Sequence, residues 1–590
     1  MCGLAGFVNL DGAPADANVI SAMTRLLAHR GPDDRGQLLF SLRGRDGADS
    51  AFGFHRLAIL DLSERGHQPM ANEAGTIVLV YNGEVYNAFE YRSELEAAGY
   101  RFRSHSDAEV LLYLYERYGI DGMLERLNGM FAFAIADLRT HEVHLARDHF
   151  GIKPLYWARA GNAVLFASEA KAFLAHPAFT PRINGGYLDE QLAFRYVHGE
   201  GSLLEGVYQV RPGHRVRITP EDVRATTYWS IPEHAPAPIS AEDAAERLDS
   251  LMRAGVKSQL LSDVSLGCQL SGGVDSSLVS AYASAAHGGL HAFSIVFDDP
   301  KFSEAPWIAE AAGAAGLTSH CHLFDEDAFL EPLDRAAWHM DQPISHPNSL
   351  GIWMLARQAR DHATVLLSGE GADEVFGGYS RFLKASQLSA RDFIATTLFQ
   401  PASKLARLRP ESDLDTVIER RLALFEDAAG DPLSRCIKYE MQTFLVDVLL
   451  RQDKMTMAHG VENRVPFLDR AVVEFARTLP AGILAGAGEP KAIVKAVARR
   501  YFGEAFVSRP KAAFNLPLSQ YFRGGRFTTL MEERVLPGIR QRGLVSEPVV
   551  RALWKRSLSA PALTEVAWIP VALELWAQLF VDRRGGYASA

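Results

Sequence analysis

Cysteine is scarce in this sequence, with four in 590 residues, at positions 2, 268, 321 and 436. No two of them form a Cys-x-x-Cys pair, so their spacing favours neither a disulfide scaffold nor a thiolate zinc site. We expect Cys268, Cys321 and Cys436 to be ordinary buried small residues. Cys2 needs another explanation, because a reactive side chain stands where a chain end normally frays.

Long apolar runs and an excess of positive charge are also missing. No apolar stretch approaches the roughly 20 residues that a membrane span needs, and the N-terminus has neither the basic nor the continuous apolar segment of a signal peptide. The 61 Lys and Arg against 71 Asp and Glu give a net charge of −10, which offers no electrostatic footprint for nucleic acid or anionic lipid. We therefore expect a cytoplasmic protein that binds neither nucleic acid nor membrane.

The length predicts more than one domain, because 590 residues exceed what one hydrophobic core usually supports. To about residue 210, short strand-type runs separated by Gly, Asp and Asn indicate antiparallel sheet. A proline-rich polar stretch then precedes a helix start at Ser240. Beyond it, short apolar strands alternate with helices, which predicts parallel βαβ units, and from about residue 384 the sequence is helical. We place the domains at 1–215 and 240–590.

The segment LSGGVDSS, at 270–277, joins a buried strand to a helix. Its glycines let the backbone approach phosphate oxygens, its serines can donate hydrogen bonds, and Asp275 can hold Mg²⁺. A tight turn without a ligand is the alternative. In this strand-loop-helix context, SGGxDSS is typical of the PP-loop ATP pyrophosphatases, which cleave ATP to AMP and pyrophosphate. No GxxxxGK[ST] motif occurs, so phosphoryl transfer from a Walker loop is not expected.

A second loop, LLSGEGADEVFGGY at 366–379, also leaves a buried strand. It presents acidic residues among glycines, and Asp373 together with Asp275 would make a two-carboxylate magnesium site. The alternative is a solvated acidic loop. Ligands in parallel sheets bind at the carboxyl ends of the strands, which favours the first reading.

Eight motifs occur in a fixed order along the chain: MCGLAGF, HRLAILD, YNGEVYN, SDAEVLL, RDHFGIKPLYW, SGGVDSS, SGEGADEVFGGY and ENRVPFLD. Together they closely resemble the glutamine-hydrolysing asparagine synthetase family over about residues 1 to 525. The resemblance implies a two-domain protein of α+β and α/β class. An αββα sandwich, an N-terminal-nucleophile glutaminase, would precede a PP-loop ATP pyrophosphatase domain, adenine nucleotide α hydrolase-like, with a parallel sheet and a helical C-terminal part.

In the glutaminase, the resemblance implies that removal of Met1 makes Cys2 the first residue. Its thiolate would attack the glutamine amide, and its free α-amino group, with a pKa near 8, would accept the proton. Asn82 and the Gly83 N–H would form the oxyanion hole. The other residues implied to bind glutamine are Arg56 for the α-carboxylate, Asp107 for the α-ammonium, Glu84, and the backbone of Ala58, Ile59 and Leu60.

In the second domain, the resemblance implies ATP and Mg²⁺ as cofactors. The residues implied to bind ATP are Leu270, Ser271, Gly272, Gly273, Asp275, Ser276, Ile295, Ser368 and Gly369. Glu370 matches a glutamate needed to form an acyl-adenylate, Lys511 matches a lysine that neutralises charge during adenylation, and Glu462 matches a position near the same site. For Arg464 a structural and a functional role stay open.

The reaction so implied converts aspartate, glutamine and ATP to asparagine, glutamate, AMP and pyrophosphate, with ammonia passing through an internal apolar passage. Family analogy also suggests a homodimer. Gln342 and the run His346-Pro347-Asn348 depart from familiar family patterns. They are either neutral loop variation or the sign of another acceptor, such as a sugar uronate or a secondary-metabolite acid.

Three other classes fit less well. Glutamine amidotransferases acting on phosphoribosyl or fructose-phosphate substrates share the MCG start and the glutaminase pocket, but lack SGGVDSS. A degenerate binding protein would be expected to have lost some of the residues named above. A β-lactam-forming relative needs no ammonia, so an intact glutaminase would be idle in it.

Overall fold

A computed structural model describes residues 2–509, 516–584 and 586. Met1 and Lys511, which carry two of the predictions above, lie outside the described residues. Two units follow one another along the chain: an N-terminal unit, residues 2–227, and a C-terminal unit that begins at residue 241.

The N-terminal unit contains two six-stranded antiparallel sheets and four α-helices among the described residues. Its strands are β1 (Cys2–Asn9), β2 (Asp34–Phe40), β3 (Ser50–Arg56), β4 (Met70–Ala71), β5 (Ile77–Val85), β6 (Gly129–Asp137), β7 (Glu142–Arg147), β8 (Tyr156–Ala160), β9 (Ala163–Ala167), β10 (Val207–Gln209), β11 (His214–Ile218) and β12 (Val223–Thr227). Its helices are α1 (Ala17–Arg25), α2 (Arg92–Ala97), α3 (Asp107–Leu124) and α4 (Leu188–Phe194). The strand orders are β10-β8-β9-β1-β3-β2 and β12-β11-β7-β6-β5-β4.

Alternation of side chains along the strands builds the layers of this unit. Leu4 of β1 and Val80 of β5 belong to one apolar cluster that fills the space between the sheets. Phe7 of β1 packs on the opposite face with α1, and Leu79 of β5 packs with α3. The period of two therefore places a helical layer outside each sheet, and the predicted αββα sandwich is confirmed. The first domain is predicted to end at residue 215. The second sheet continues beyond that residue, because β12 pairs with β11.

The C-terminal unit is built on a five-stranded parallel sheet with the order β15-β14-β13-β16-β17. Its strands are β13 (Leu266–Gln269), β14 (His291–Val296), β15 (Thr318–Leu323), β16 (Val365–Leu367) and β17 (Glu462–Arg464). The helices around the sheet are α5 (Ala241–Ser258), α6 (Val274–Ala286), α7 (Ala305–Ala315), α8 (Glu326–Leu330), α9 (Leu333–Met340), α10 (Ser349–Ala359), α11 (Ala372–Phe376) and α12 (Ala390–Thr397). The predicted parallel sheet is confirmed.

Beyond about residue 384 the C-terminal unit is helical as predicted, except for β17, which completes the parallel sheet by pairing with β16. Its remaining helices are α13 (Ala402–Leu408), α14 (Leu414–Glu426), α15 (Pro432–Gln442), α16 (Phe444–Met457), α17 (Arg470–Ala476), α18 (Ala481–Leu484), α19 (Ala492–Val507), α20 (Leu518–Tyr521), α21 (Gly525–Leu530), α22 (Leu536–Arg542), α23 (Glu547–Ser557) and α24 (Thr564–Phe580).

Helix α24 ends the described fold. By length and composition, the 20-residue stretch Pro561–Phe580 is long and apolar enough to cross a membrane. The sequence-based expectation that the chain has no such stretch was wrong. Of its most apolar window, 89% is buried inside the protein, which is typical of a core helix. Trp568 and Trp576 donate their indole N–H groups to the carbonyl oxygens of Ile344 and Asp341, at 2.6 and 3.2 Å.

The predicted burial of the cysteines is correct for two of the three residues concerned. Cys268 and Cys436 are buried, as expected, whereas Cys321 is exposed. The prediction was wrong for Cys321 because β15 is the edge strand of its sheet, and its alternate side chains face solvent.

Buried charged groups join the two units. Arg30 is fully buried and donates to Glu169 Oε1 at 2.7 Å, to Asp453 Oδ2 of α16 at 2.8 Å, and from Nε to the Cys2 carbonyl oxygen at 3.1 Å. Burial alone would lower the pKa of Arg30, but the carboxylates of Asp453 and Glu169 raise it above its ordinary value. Lys153 Nζ lies 3.4 Å from the second oxygen of Asp453.

The same network continues through Asp341, which lies 3.5 Å from both Lys171 and Lys454. Lys171 also pairs with Glu169. We call these seven residues the buried charge cluster: Arg30, Lys153, Glu169, Lys171, Asp341, Asp453 and Lys454. The four cations of the buried charge cluster nearly balance its three carboxylates. Each buried charge therefore has a partner of opposite sign in place of water.

Replacement of Asp453 by Ala would leave Arg30 and Lys153 without that carboxylate in a buried place. We expect a loss of about 3 to 5 kcal/mol in the free energy of unfolding, the usual effect of removing one partner of a buried ion pair. Chemical denaturation followed by near-ultraviolet circular dichroism measures it.

The matched control is Asp415→Ala, which breaks an exposed pair with Arg391 and should leave the unfolding midpoint near that of the parent. Equal midpoints for the two variants would contradict the stabilising role of the buried charge cluster.

Candidate active sites

Cys2 and Asn82 face each other across the two sheets of the N-terminal unit. Asn82 lies on β5 two residues after Val80, so it shares the inward face of its strand. The backbone N–H of Cys2 donates to Asn82 Oδ1 at 2.8 Å. Asn82 is fully buried, and its Nδ2 has no hydrogen-bond partner among the described residues. An unpaired buried donor beside a thiol fits an oxyanion hole.

Gly83 follows Asn82 on β5 and pairs with Phe131 of β6. A Cβ atom at residue 83 would lie 2.2 Å from the carbonyl oxygen of Met130. Glycine is therefore needed for the two strands to pair here, and the strand pairing fixes the position of Asn82.

The Cys2 thiol is 7% exposed, and its Sγ lies 3.9 Å from the Leu57 carbonyl oxygen. Burial raises the pKa of the thiol and outweighs the hydrogen bond to the Leu57 carbonyl and the charge of Arg56, which lower it. The thiol therefore needs a proton acceptor to react at neutral pH.

Arg56 holds the loop that follows it. Cys2 pairs with Arg56 in the register of β1 and β3, so the guanidinium lies near the thiol. Its Nη1 donates to the Ser63 carbonyl oxygen at 2.9 Å, and its Nη2 donates to the carbonyl oxygens of Leu60, at 3.1 Å, and Asp61. Much of its donor fork is thus engaged by the main chain of the loop predicted to line the pocket.

The C-terminal unit supports the same loop from the other side. Asp263 donates its N–H to the Ile59 carbonyl oxygen at 2.9 Å and accepts from the Asp61 N–H at 2.8 Å. Ile59 and Leu60 are buried, and Ala58 N–H donates to Asp33 at 2.8 Å. The loop is therefore fixed by both units.

Asp107 and Glu84 lie together at the end of β5. Asp107, the first residue of α3, accepts from the Tyr81 hydroxyl at 2.6 Å and from the Val85 N–H at 3.0 Å. Burial raises the pKa of Asp107. Burial, followed by the charge of Asp107, raises the pKa of Glu84, whose Oε1 has no hydrogen-bond partner within the described part of the chain.

Strand β17 contacts both units through alternate side chains. Arg464 is fully buried, donates to Glu462 at 2.6 Å, and reaches Glu84 of the N-terminal unit at 3.3 Å. Asn463, which lies between Glu462 and Arg464 in the strand, points to the other face. Its side chain donates to the Ser368 hydroxyl of the predicted ATP loop at 3.1 Å. Glu462 is predicted to lie near the adenylation site; in the structure it accepts from Arg464 at the junction with the glutaminase.

The SGGVDSS segment forms a compact loop at the start of α6. The Ser271 and Ser276 hydroxyls lie 2.9 Å apart, and Ser271 Oγ accepts from the Gly273 N–H at 3.2 Å. Gly272 has φ +74, the left-handed region that favours glycine, and Gly273 is the N-cap of α6. This geometry gathers N–H and hydroxyl donors at a helix N-terminus, which suits phosphate oxygens.

The two predicted ATP loops touch each other. A Cβ at Gly369 would lie 2.5 Å from the Ser276 nitrogen, so glycine permits the contact. Ser368 is buried. Leu270 and Ile295 are buried on neighbouring strand ends, and Leu270 N–H donates to the Phe293 carbonyl oxygen at 3.0 Å. The structure thus brings the residues of the predicted ATP site together.

Lys491, which sequence reasoning missed, lies between the two predicted metal ligands. Its Nζ is 2.5 Å from Asp275 and 2.7 Å from Asp373. Burial opposes its charge, but the two carboxylates raise the pKa of Lys491 above its ordinary value. It precedes α19 with φ +53. A lysine ahead of a helix is normally a surface residue, and Asp275 is 216 positions away, so no local signal identified it.

The same carboxylates fit a magnesium ion. Asp275 and Asp373 converge on one cationic atom, and Asp275 Oδ1 has no hydrogen-bond partner among the residues that the structure describes. Hard carboxylate oxygens are the ligands that Mg²⁺ prefers.

Glu370 is half-buried in the second loop, close to Glu374. Burial and the charge of Asp373, with a contribution from Glu370, raise the pKa of Glu374 to about 8, and Glu374 accepts from the Tyr379 hydroxyl. The loop is thus strongly acidic beside Lys491.

Three of the four residues that depart from familiar patterns contact side chains of α16, and Pro347 is the exception. Gln342 donates to Asp447 at 3.3 Å, His346 lies 3.4 Å from Asp447, and Asn348 accepts from Arg451 at 3.3 Å. Arg451 pairs with Asp447 at 2.9 Å. We call these five residues the α16 polar cluster. These contacts place the departing residues beside one buried ion pair of α16.

Comparisons with known proteins agree with this geometry. Residues 1–229 match the family model described as "Glutamine amidotransferase domain", and residues 247–578 match "Asparagine synthase". The chain is 31% identical to "Asparagine synthetase (glutamine-hydrolyzing) 1" of Bacillus subtilis (strain 168), over 89% of this chain and 88% of that protein. It is 30% identical to "Putative asparagine synthetase (glutamine-hydrolyzing)" of Mycobacterium tuberculosis (strain ATCC 25618 / H37Rv), over 99% and 98%.

A third relative is "Amidase chry2" of Gibberella zeae (strain ATCC MYA-4620 / CBS 123657 / FGSC 9075 / NRRL 31084 / PH-1), 28% identical over 81% of this chain and 83% of that protein. The fold and its sites define a glutamine amidotransferase of the N-terminal-nucleophile type, joined to an ATP-using ligase unit. The chain belongs to the asparagine synthase family, as the sequence motifs indicate.

Because burial raises the pKa of the Cys2 thiol, little thiolate is present at neutral pH. We expect alkylation of Cys2 by iodoacetamide to increase with pH and to keep increasing above the ordinary thiol pKa of about 8.5. Mass spectrometry of the Cys2 peptide measures the rate, and the exposed Cys321 supplies an internal comparison. A rate for Cys2 that levels off below neutral pH would contradict the raised pKa.

Proposed function

We propose that this protein hydrolyses glutamine at Cys2, passes the ammonia through the junction of its units, and transfers it to a carboxylic acid activated by ATP. One observation carries the proposal. Strand β17 presents Arg464 to the Glu84 side of the glutaminase and Asn463 to Ser368 of the predicted ATP loop. The two sites are thus built on opposite sides of one three-residue strand.

In the glutaminase step, the Cys2 sulfur forms a bond with the amide carbon of glutamine. The α-amino group of Cys2, freed by removal of Met1, takes the thiol proton and delivers it to the leaving nitrogen, which departs as ammonia. Asn82 Nδ2 and the Gly83 N–H stabilise the oxyanion. Water then releases glutamate from the thioester. Arg56 and Asp107 hold the α-carboxylate and the α-ammonium of glutamine.

In the synthetase step, a carboxylate oxygen of the acceptor attacks the α-phosphorus of ATP, and pyrophosphate leaves. Ammonia then bonds to the acyl carbon, and AMP leaves with the electron pair. The SGGVDSS loop holds the phosphates, Glu370 lies beside the reacting groups, and Lys491 neutralises charge that develops there. Asp275 and Asp373, which Lys491 bridges in this structure, would hold Mg²⁺ in its place when the ion is bound, and the Mg²⁺ would supply further positive charge to the phosphates.

Aspartate is the proposed acceptor, because the synthetase named for Bacillus subtilis matches along most of the chain. The second candidate keeps the chemistry but amidates another carboxylic acid. The α16 polar cluster favours it, because Gln342, His346 and Asn348 all contact the Asp447–Arg451 pair. The expected homodimer and the cytoplasmic location stay predictions.

Pyrophosphate release with ATP, Mg²⁺ and a panel of acids tests the acceptor. Strong release with aspartate is the expected result. Release with a sugar uronate but none with aspartate would replace the main proposal by the second candidate, and no release with any acid would contradict both.

Replacement of Cys2 by Ala separates the two steps. We expect Cys2→Ala to lose glutamine-dependent product formation while ammonia-dependent formation stays at the parent rate, because the thiol acts only on glutamine. Cys321→Ala, at an exposed thiol, is the control and should leave both rates unchanged. Loss of both rates in Cys2→Ala would contradict the two-site scheme.

Lys491→Met tests the residue found between the carboxylates. Loss of its charge should lower the rate of pyrophosphate release by about 10²- to 10³-fold, the usual effect of removing one group that stabilises a transition state, and leave glutaminase activity intact. The control is Lys495→Met, one turn later on α19, where the lysine pairs with Glu489 at 3.0 Å. Similar rates in the two variants would exclude a role for Lys491 in adenylation.

A further inference from the structure

Three histidines meet at the amino end of the parallel sheet. His291 is the first residue of β14, His320 lies within β15, and His362 precedes β16 by three residues. One ring nitrogen from each lies within 4.8 Å of those from the others. The ATP loops leave the carboxyl ends of β13 and β16. The histidine cluster is therefore on the side of the sheet where the strands begin, away from those loops.

The strands hold two of these rings in place. In the parallel pairing of β14 with β15, Phe293 is opposite His320, and His291 shares the face of Phe293 because alternate residues do so. The Phe293 and His320 rings stack with centroids 5.1 Å apart and planes at 14°. His362 comes from the segment after α10, and its ring centroid lies 4.6 Å from that of His320. Paired strands thus preorganise two of the three imidazoles, and ring contact places the third beside them.

The spacing of the nitrogens suits a metal ion. His291 Nδ1 and His320 Nε2 are 2.8 Å apart, a separation that requires one shared proton. A tetrahedral ion with metal–nitrogen bonds of about 2.0–2.1 Å holds neighbouring nitrogens roughly 3.3 Å apart. The His291–His320 pair would therefore open by about half an ångström to hold a metal ion in place of the proton, and the His362 nitrogen, within 4.8 Å of both, would move to complete the site. His362 is exposed and leaves a fourth position open to water.

The ligand type selects the class of metal. Neutral imidazole nitrogens bind Zn²⁺, Cu²⁺, Ni²⁺ and Co²⁺, whereas Mg²⁺ prefers oxygen ligands. The cluster is thus chemically distinct from the Asp275 and Asp373 pair.

We propose that His291, His320 and His362 bind one transition-metal ion of the Zn²⁺ type. The ion links β14, β15 and the segment before β16, so it stabilises the folded C-terminal unit. The bound ion lies towards the amino ends of the strands, whereas the ATP loops follow their carboxyl ends. It takes no part in the amidation reaction.

The test titrates the untagged full-length protein, stripped with a chelator, with Zn²⁺ and with Co²⁺. Calorimetry should show one ion bound per chain, and His320→Ala and His362→Ala should each weaken binding by about tenfold or more, because each variant loses one ligand. His287→Ala, an exposed histidine at the end of α6, is the matched control and should bind as the parent does. Absence of binding in the parent, or unchanged affinity in both ligand variants, would overturn the proposal.

Because His320 packs against Phe293, its variant can lose the fold. His362 is exposed, so His362→Ala tests the proposal independently. At a fixed Zn²⁺ concentration just above the dissociation constant of the parent, Zn²⁺ should raise the thermal midpoint of the parent and of His287→Ala and raise that of His362→Ala clearly less, because the variant binds more weakly. An equal rise in all three would place the ion elsewhere. A thiolate band in the Co²⁺ spectrum would replace the three-histidine assignment by one that includes Cys321.

Discussion

The structure depends on one buried guanidinium. Arg30 donates to the carbonyl oxygen of Cys2, to Glu169 of its own unit and to Asp453 of the other unit. A buried cation needs its carboxylates in place, so the position of Cys2 is tied to the docking of α16. This contact explains how a reactive residue can stand at a chain end without fraying. The first strand is fixed by pairing with β3 and β9 and by a charge that spans both units.

The two sites also share the short strand β17. Strand geometry sends alternate side chains to opposite faces, so Glu462 and Arg464 face the glutaminase while Asn463 faces the ATP loop. One apolar cluster includes residues of both units, among them Ile59 and Val465. Ammonia released near Cys2 would therefore have to pass a junction in which this apolar cluster lies beside buried ion pairs such as Arg464 with Glu84. In water near neutral pH it would mostly become ammonium, which is not a nucleophile.

Much of this arrangement could be predicted from sequence, and the limits have physical reasons. Strand alternation, βαβ periodicity and the SGGVDSS motif are local patterns, so they indicated an antiparallel sheet, a parallel sheet and the Asp275 loop, whereas the αββα sandwich and the role of Cys2 came from the family resemblance. Lys491 was missed because its partners lie far away in sequence and only the tertiary fold brings them together. Arg56 was predicted to bind substrate, and the structure adds that it clamps its own loop. Glu462 was predicted to lie near the adenylation site. Its contact with Arg464, which reaches Glu84 of the other unit, is set by the tertiary fold and could not be predicted from local sequence.

Isotope competition tests the central claim most directly. The protein would form its amide product from unlabelled glutamine in the presence of ¹⁵N-ammonium, and mass spectrometry would measure the label in the product. If the junction joins the two sites, the amide nitrogen comes from glutamine and stays unlabelled at ammonium concentrations that support little synthesis alone. Label that enters in proportion to bulk ammonium would show that ammonia equilibrates with solvent, and would contradict the account.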